Sequence, residues 1–471
     1  MPSWRWIAVA MFPCLASCAA VRSYDAELIH TLDQASSGNV ESAIGLLQSN
    51  NPLPDKDLLY YFELGMLQRL RNRYDESQQA WLAAQKRIES REPTVLGAGA
   101  DLLRSASSYV ISDKLRVYEA HDYEKVMLLT YMALNHLAMG QTENARVAIK
   151  QTHELEAMIA QARARAIAEV EAQARKRGAV TSFKELNGYP VETLDNAAVN
   201  ALKNGYQSAL SHYLAGFIYE SLGEPSLAAP GYRLANELQP NQPALEEALR
   251  GLERRVRAPD DGLTDVLFIV STGAAPALRS HPFRLPVPVN DKLVLIPLSF
   301  PLLIPSPVDD AAMALTIGGA QRAELTRITS IDLMARRSLK DDMPGIMLRA
   351  GVRATASALL QYQAQRHADK DAAAAAGVAA FALTALLQTA DDRTWRTLPG
   401  EVAIARARLP AGVHDVTLQT HLGEQRARVN LSGRYAVIDF RVLSRQLFVH
   451  APKAVTSGGD QKPANTRESL Q

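Results

Sequence analysis

The chain has 471 residues, a formal net charge of +1 and 21% charged residues. That balance excludes a globally basic nucleic-acid binder, and a content of two cysteines excludes a disulfide framework or a cysteine metal cluster. The length predicts two or three domains, and 47% hydrophobic residues suffice for sizeable cores.

The first element in chain order is a targeting segment. Arg5 precedes an apolar stretch from Ile7 that closes on Leu15-Ala16-Ser17-Cys18. A leucine, two small residues and a cysteine at that point have the pattern of a bacterial lipobox. The pattern predicts a lipoprotein signal peptide over residues 1–17, cleavage before Cys18 and a diacylglycerol on its thiol. Each buried acyl CH₂ then contributes roughly 0.8 kcal/mol to membrane anchoring. An ordinary signal peptide or N-terminal anchor is the plainer alternative, and the run is too short to span a bilayer. Ala19 stands where an aspartate would favour the inner membrane, so the expected address is the outer membrane, facing the periplasm. Cys14 leaves with the signal peptide, and residues 18–23 read as a tether.

Residues 24–257 read as a helical repeat array. The tetratricopeptide unit is about 34 residues, two antiparallel helices with small residues where they cross and large ones beside them. In 209–242, Gly216, Tyr219, Gly223, Ala228, Tyr232, Ala235 and Pro240 take the expected positions in one register. In 58–91 the match is Leu64, Gly65, Tyr74, Ser77, Trp81 and Ala84; in 126–159 it is Ala133, Leu137, Gly140, Ala145 and Ile149. Residues 24–57 form a degenerate copy through Gly38, Ala43 and Leu47. The expected repeat-packing residues are therefore Gly65, Trp81, Ala133, Gly140, Ala145, Gly216, Tyr219, Ala228 and Tyr232. The twentieth positions, at 43, 77, 145 and 228, are spaced by 34, 68 and 83 residues, so an insertion falls in the last interval, around 150–205. Within it, 146–178 reads as one long helix ending in Arg175-Lys176-Arg177 and Gly178, basic residues and a glycine stop suited to a helix C-terminus. Residues 179–200 read as a loop. A generic helical bundle is the plainer reading of the whole array. A stacked array leaves a concave groove suited to peptides or partner helices.

Pro259-Asp260-Asp261-Gly262 marks a boundary. Beyond it, residues 262–450 read as a mixed strand and helix domain. Asp265–Val270 reads as a buried strand ending in Ser271-Thr272-Gly273. Extended segments follow at 282–289 and 292–304, the latter proline-rich with Pro297, Pro301 and Pro305 just beyond it, which suits edge strands or irregular chain. Residues 311–328 read as a hairpin, and 330–390 as helical, with one amphipathic segment from Met343 to about Arg366. Ala372–Leu387 is an uncharged, alanine-rich run expected as a buried helix. From 401 onward, alternation between turns at Gly412, Gly423 and Gly433 predicts a small antiparallel sheet. Residues 451–471 read as a disordered tail. The fold class is α+β and multidomain, a tetratricopeptide-like solenoid followed by a mixed β/α region.

Chemistry is sparse. No Gly-rich phosphate loop, HExxH, GxSxG or EF-hand pattern occurs, and the ten histidines show no ligand spacing. No catalytic residue, metal or cofactor is expected. Ser271-Thr272-Gly273 has no assignable lysine or histidine partner and reads as a strand-end turn. Asp391-Asp392-Arg393-Thr394-Trp395-Arg396-Thr397-Leu398-Pro399 is the densest polar-aromatic stretch. Arg393 and Trp395 are candidates for an interaction surface; the preferred reading is structural, with Asp391 and Asp392 holding the arginines and Trp395 plugging the joint between the alanine-rich helix and the last sheet. Tyr123 and Glu124, at the start of a repeat helix, are candidates for a groove lip.

The order of these parts carries a resemblance. It rests on the lipobox, Tyr118…Asp122-Tyr123-Glu124, Tyr131…Ala133-Leu134-Asn135…Gly140…Ala145-Arg146, Tyr213-Leu214…Gly216…Tyr219-Glu220, Gly273…Pro276 and Asp392–Pro399. Together these resemble a group of uncharacterised tetratricopeptide lipoproteins of Gram-negative bacteria, over roughly residues 20–450. In that pattern a basic residue closely follows Gly-x-x-Pro; here Ala277 and Leu278 intervene before Arg279. The resemblance implies an envelope role, because members are encoded near lipoproteins similar to activators of penicillin-binding proteins. The expected function is a non-enzymatic scaffold or adaptor in cell-envelope biogenesis. Its expected partners are envelope proteins, such as other lipoproteins or a peptidoglycan synthase complex, with the membrane reached through the acyl anchor and no nucleic acid. The alternatives are an assembly or pilotin-like factor for a secretion or polysaccharide-export system, and a wall hydrolase using Asp392 or Arg393.

Overall fold

The structure is a computed structural model that describes residues 23–90, 114, 116–179, 181–259, 261–289, 292–304, 312–367 and 389–452. The signal peptide, Cys18 and Ala19, the run Ala372–Leu387 and the tail beyond 452 lie outside the described residues.

Helices pair off along the first half of the chain. The pairs are α1 (Tyr24–Ser36) with α2 (Val40–Asn50), α3 (Leu58–Leu70) with α4 (Tyr74–Glu89), α5 (Asp122–Ala138) with α6 (Thr142–Arg177), and α8 (Ala209–Ser221) with α9 (Pro225–Leu238). Each first helix has a local start signal. Ser23, Asp57 and Ser208 accept N–H groups of the opening turn, and Glu124 reaches back to the His121 N–H at 2.9 Å.

The four connecting turns share one conformation. Gly38, Asn72, Gly140 and Gly223 all have positive φ, between 57° and 86°. In each turn the next residue donates its N–H to a carbonyl five residues back: Asn39 to Gln34, Arg73 to Gln68, Gln141 to His136 and Glu224 to Tyr219, at 2.8–3.0 Å. These are left-handed helix stops that satisfy orphan carbonyls. They recur at the fifteenth position of every copy. Gly140 belongs to this set; it is exposed and makes no crossing contact, which corrects its expected packing role.

The crossings themselves depend on missing side chains. A Cβ on Gly65 would clash with the Trp81 indole, Nε1 being the nearest atom, and one on Gly216 would lie 2.6 Å from the Tyr232 ring. Ala133, Ala145 and Ala228 are fully buried at the corresponding contacts. The insertion is α6, which runs on to Gly178 in the left-handed conformation, followed by two short 3₁₀ turns and α7 (Ala197–Ala201). The sequence reads 179–200 as a loop, yet Phe183, Tyr189, Leu194 and Val199 are buried there: irregular backbone still contributes to the core. Two short helices, α10 (Pro243–Arg250) and α11 (Leu252–Arg257), close the array.

The strands are β1 (Leu263–Thr272), β2 (Ala277–Val289), β3 (Lys292–Ile304), β4 (Ala312–Ile317), β5 (Gln321–Ala323), β6 (Thr326–Ser330), β7 (Glu401–Pro410), β8 (Gly412–Thr420), β9 (Gly423–Leu431), β10 (Tyr435–Leu443) and β11 (Gln446–His450). They form a five-stranded sheet, β11-β10-β1-β7-β6, a four-stranded sheet, β5-β4-β8-β9, and a two-stranded ribbon, β2-β3. The single terminal antiparallel sheet expected from 401 onward is corrected: its strands are divided between two sheets, and β10 pairs parallel to β1. The reason lies in two-sided burial of β1 and β10. On β1, Val266, Phe268 and Val270 enter the core between the sheets, while Leu267 and Ile269 face the helices. A strand buried on both faces belongs in the middle of a sheet.

Proline placement explains the ribbon. Pro282, Pro286 and Pro288 on β2 and Pro297 and Pro301 on β3 all occupy rungs of the same parity, paired as Pro282 to Ser299, Pro286 to Leu295, Pro288 to Leu293, Arg284 to Pro297 and Ser280 to Pro301. Residues lacking an N–H are tolerated where that group would point away from the partner strand. Five prolines thus suit a regular antiparallel ribbon rather than irregular chain, and they remove outward donors from its edges. Its inner face, Ile296, Leu298 and Phe300, is buried in the same core as Leu339 and Met343 of the long helix α12 (Ile331–His367).

One hydrophobic core runs from Leu58 through Trp81, Met127 and Tyr213 to Leu267, Trp395 and Val437. The compositional boundary at 259–262 is therefore no boundary in packing.

Candidate functional site

The first helices of three hairpins jointly hold the segment 391–398, which lies outside any helix or strand. Three acids, one per hairpin, do most of the holding. Glu63 on α3, fully buried, accepts the N–H groups of Arg396 at 2.8 Å and Thr397 at 3.0 Å, and the Tyr24 hydroxyl at 3.2 Å. Glu124 on α5, also fully buried, accepts the Trp395 N–H at 2.6 Å, the Thr394 hydroxyl at 3.0 Å and the Tyr118 hydroxyl. Asp25 on α1 pairs with Arg396 at 3.1 Å. Three consecutive N–H groups that no ladder satisfies are thus taken up by carboxylates, as buried donors require. Trp395 lies stacked on Phe62, ring centroids 4.5 Å apart, and 6.1 Å edge-on from Trp81.

These contacts correct the candidate interaction surface. Tyr123, Glu124 and Trp395 are buried, and the Tyr123 hydroxyl is bonded to Thr394 at 2.8 Å. Arg393 is bidentate to Asp391, donates to the Arg116 carbonyl and lies over the Tyr118 ring. The four residues form an internal joint between helices and sheet, and no partner reaches the three buried ones. Asp392 is likewise paired, with Lys114 at 3.1 Å.

Two further ion networks cross the same interface. Arg69, on α3, is buried against Asp439 of β10 at 2.8 Å and also donates to Asn135. Glu220, on α8, takes Arg255 at 2.7 Å, Arg406 of β7 at 2.6 Å and the Tyr232 hydroxyl at 2.6 Å; Arg406 continues to Asp265 at 2.7 Å. Burial works against the Glu220 carboxylate, but Arg255 and Arg406 bring it below its ordinary range. Arg69 and Glu220 both hold the twelfth position of their copies. Sequence reasoning missed Glu63, Arg69 and Glu220, although each is a charge inside an otherwise apolar helix, and that was the available signal.

Burial pushes the Glu63 carboxyl up to about 7, against the pull of its bonds from Thr397, Arg396 and Tyr24. A raised carboxyl value means that ionisation costs the folded state. Its stabilising contribution is complete below the unfolded value of about 4.3 and is lost as pH rises through 7. Urea midpoints between pH 5 and 8 are expected to fall with pH, and Glu63→Gln is expected to flatten that slope. Equal slopes in the two proteins would remove the assignment.

A cavity of about 1060 Å³ lies between α6 and α12. Leu155, Ile159, Leu339 and Ile346 line it, and Arg163 bridges it from α6 to Asp122 and Asp342. Acids and bases alternate around it, so its charge selects no ligand sign. Among the described residues no group of three or more His, Cys, Asp or Glu side chains is arranged to hold a metal ion. Among the same residues no helix is long and apolar enough to cross a membrane. No family model, curated protein or solved structure matches this chain.

Proposed function

We propose that the chain is a non-enzymatic scaffold of the bacterial cell envelope, anchored at the outer membrane through acylated Cys18 and built on tetratricopeptide-like hairpins. The observation that carries this reading is the left-handed turn repeated at the fifteenth position of four helix pairs. The glycine–aromatic crossings at Gly65–Trp81 and Gly216–Tyr232 support it. Stacked hairpins of this kind offer extended surfaces to partners. The face that would form the groove is filled by the chain's own sheet and by residues 391–398. Partner binding then falls to the second helices of the pairs, where Leu82 on α4, Val147 on α6 and Leu227 on α9 are exposed. Partners are other envelope lipoproteins or a peptidoglycan synthase complex.

Photo-crosslinking residues placed at 82, 147 and 227 in living cells test this, with exposed Val413 on β8 as the comparison site. Adducts with lipoproteins or wall synthases from the three helix sites, and not from 413, are expected. Adducts with an export channel instead would favour an assembly factor, and none from the helix sites would end the scaffold reading. Cys18→Ser is expected to move the protein from the membrane fraction to the soluble periplasm; retention on membranes would overturn the anchor.

A further inference from the structure

Four polar atoms gather between α6 and α8 without a hydrogen-bond partner: Nδ1 and Nε2 of His212, Nε2 of His153 and Oε1 of Glu156. His212 is 1% exposed. Its Nε2 lies 3.0 Å from the other Glu156 oxygen, within ion-pair distance but not aligned as a hydrogen bond. The two imidazole rings are stacked, centroids 5.2 Å apart and planes 17° from parallel. Stacked rings aim their nitrogens along parallel planes, so they do not converge on one ion, in line with the lack of any metal-competent cluster among the described residues.

Glu156 also accepts from Gln207 at 3.3 Å. Arg163 on α6 and Asp122 at the start of α5 form an ion pair nearby, and Tyr206 in the loop before α8 senses Glu156, Arg163 and Asp122. Towards the outer end of α6, Arg146 pairs with Glu224 at 3.4 Å, and from α5 the Thr130 hydroxyl meets Ser211 at 2.6 Å. One carboxylate therefore faces two imidazoles. A single carboxylate can balance only one positive charge, so protonating both rings would leave one uncompensated.

The location gives this imbalance a consequence. Repeat spacing is a multiple of 34 up to the third hairpin and 83 from there to the fourth, so the contact between those two hairpins is where regular stacking is interrupted. We propose that His153, His212 and Glu156 form an acid-triggered hinge between the third and fourth helix pairs, closed at neutral pH and opened when the second imidazole takes a proton. Burial, then the neighbouring His212, lowers the affinity of His153 for that proton in the closed form. A depressed histidine value means that the closed packing is favoured above the ordinary value of about 6.5 and is lost as pH falls below it. The hinge rests on this buried cluster and on the interrupted helix-pair spacing, and does not depend on the scaffold reading.

Amide hydrogen exchange of the purified full chain at pH 7.5 and 5.5, corrected for intrinsic rates, tests it. Peptides covering 148–160 and 206–216 should open about threefold to tenfold more often at the lower pH, since one proton contributes at most about tenfold per pH unit. Peptides in β1 and β7 should keep their protection. His153→Gln, at a partly exposed site, should fold normally and abolish the response, whereas His30→Gln, on the exposed face of α1, should leave it intact. Equal protection at the two pH values, or an undiminished response in His153→Gln, would overturn the hinge.

Discussion

Trp395→Ala is expected to lower the stability of the chain by about 3–5 kcal/mol, the usual cost of removing a large aromatic from a core. The indole is fully buried, stacked on Phe62 and edge-on to Trp81, and its Nε1 donates to Thr397 at 2.9 Å. The cavity cannot collapse easily, because the flanking main chain is pinned: Glu124 holds the N–H of Trp395 itself, and Glu63 those of Arg396 and Thr397. That loss is a large share of a typical total of about 5–15 kcal/mol, so the urea midpoint should fall clearly. Trp395→Phe should recover most of it, since the stack survives and only the Thr397 bond is lost. The measurement has a convenient reporter. Trp4 and Trp6 precede Cys18, so a chain cut before Cys18 would owe all its tryptophan fluorescence to Trp81 and Trp395, and both sit in this joint. Fluorescence and helical circular dichroism should report one coincident transition, because one core spans helices and sheet. A loss below about 1 kcal/mol, or two separated transitions, would mean that the joint does not couple the two halves.

Much of this arrangement was legible in the sequence, and the remainder was not for specific reasons. Helix pairs declare themselves through apolar periodicity and through Gly65, Trp81, Gly216 and Tyr232, which stand at fixed offsets because two helices can cross closely only there. Gly140 was misassigned because a glycine that permits approach and a glycine that permits positive φ look alike in a sequence. Its φ of 74°, shared with Gly223, shows the second role. The joint was hidden for another reason. Glu63, Arg69 and Glu220 are satisfied by residues 186 to 370 positions away, Arg396, Asp439 and Arg406, and no local pattern encodes that pairing. Strand order was hidden likewise: alternation marks β1 and β10 as strands, but their parallel neighbour relation is set by burial on both faces. Trp395 could be read either as a surface anchor or as a plug. A Trp flanked by Asp and Arg suits both, and the choice depends on where Phe62 and Trp81 lie.

Gly65→Ala is the sharper test of the repeat crossings, because helix propensity and packing predict opposite signs. Replacing a mid-helix glycine by alanine ordinarily stabilises by up to about 1 kcal/mol. At Gly45 on α2 a Cβ meets nothing within 4 Å, so Gly45→Ala should show that gain. At Gly65 the same Cβ clashes with the Trp81 indole, and that ring is itself fixed by its Nε1 bond to the Phe62 carbonyl at 3.2 Å. Neither helix can retreat freely, since Ser77 on α4 donates to the Gly65 carbonyl at 2.7 Å. Overpacking of this kind costs about 1–3 kcal/mol, and a rigid ring between tied helices places the expected loss near about 3. If the clash is the cause, Trp81→Leu should make Gly65→Ala much less harmful, with a coupling of about 1–3 kcal/mol in the double-mutant cycle. A Gly65→Ala protein as stable as the parent, or additive effects in the cycle, would mean that the glycine is not there to admit the aromatic. The shared offset of Gly216 and Tyr232 would then lose its physical reason as well, since a Cβ there meets the same obstacle at 2.6 Å.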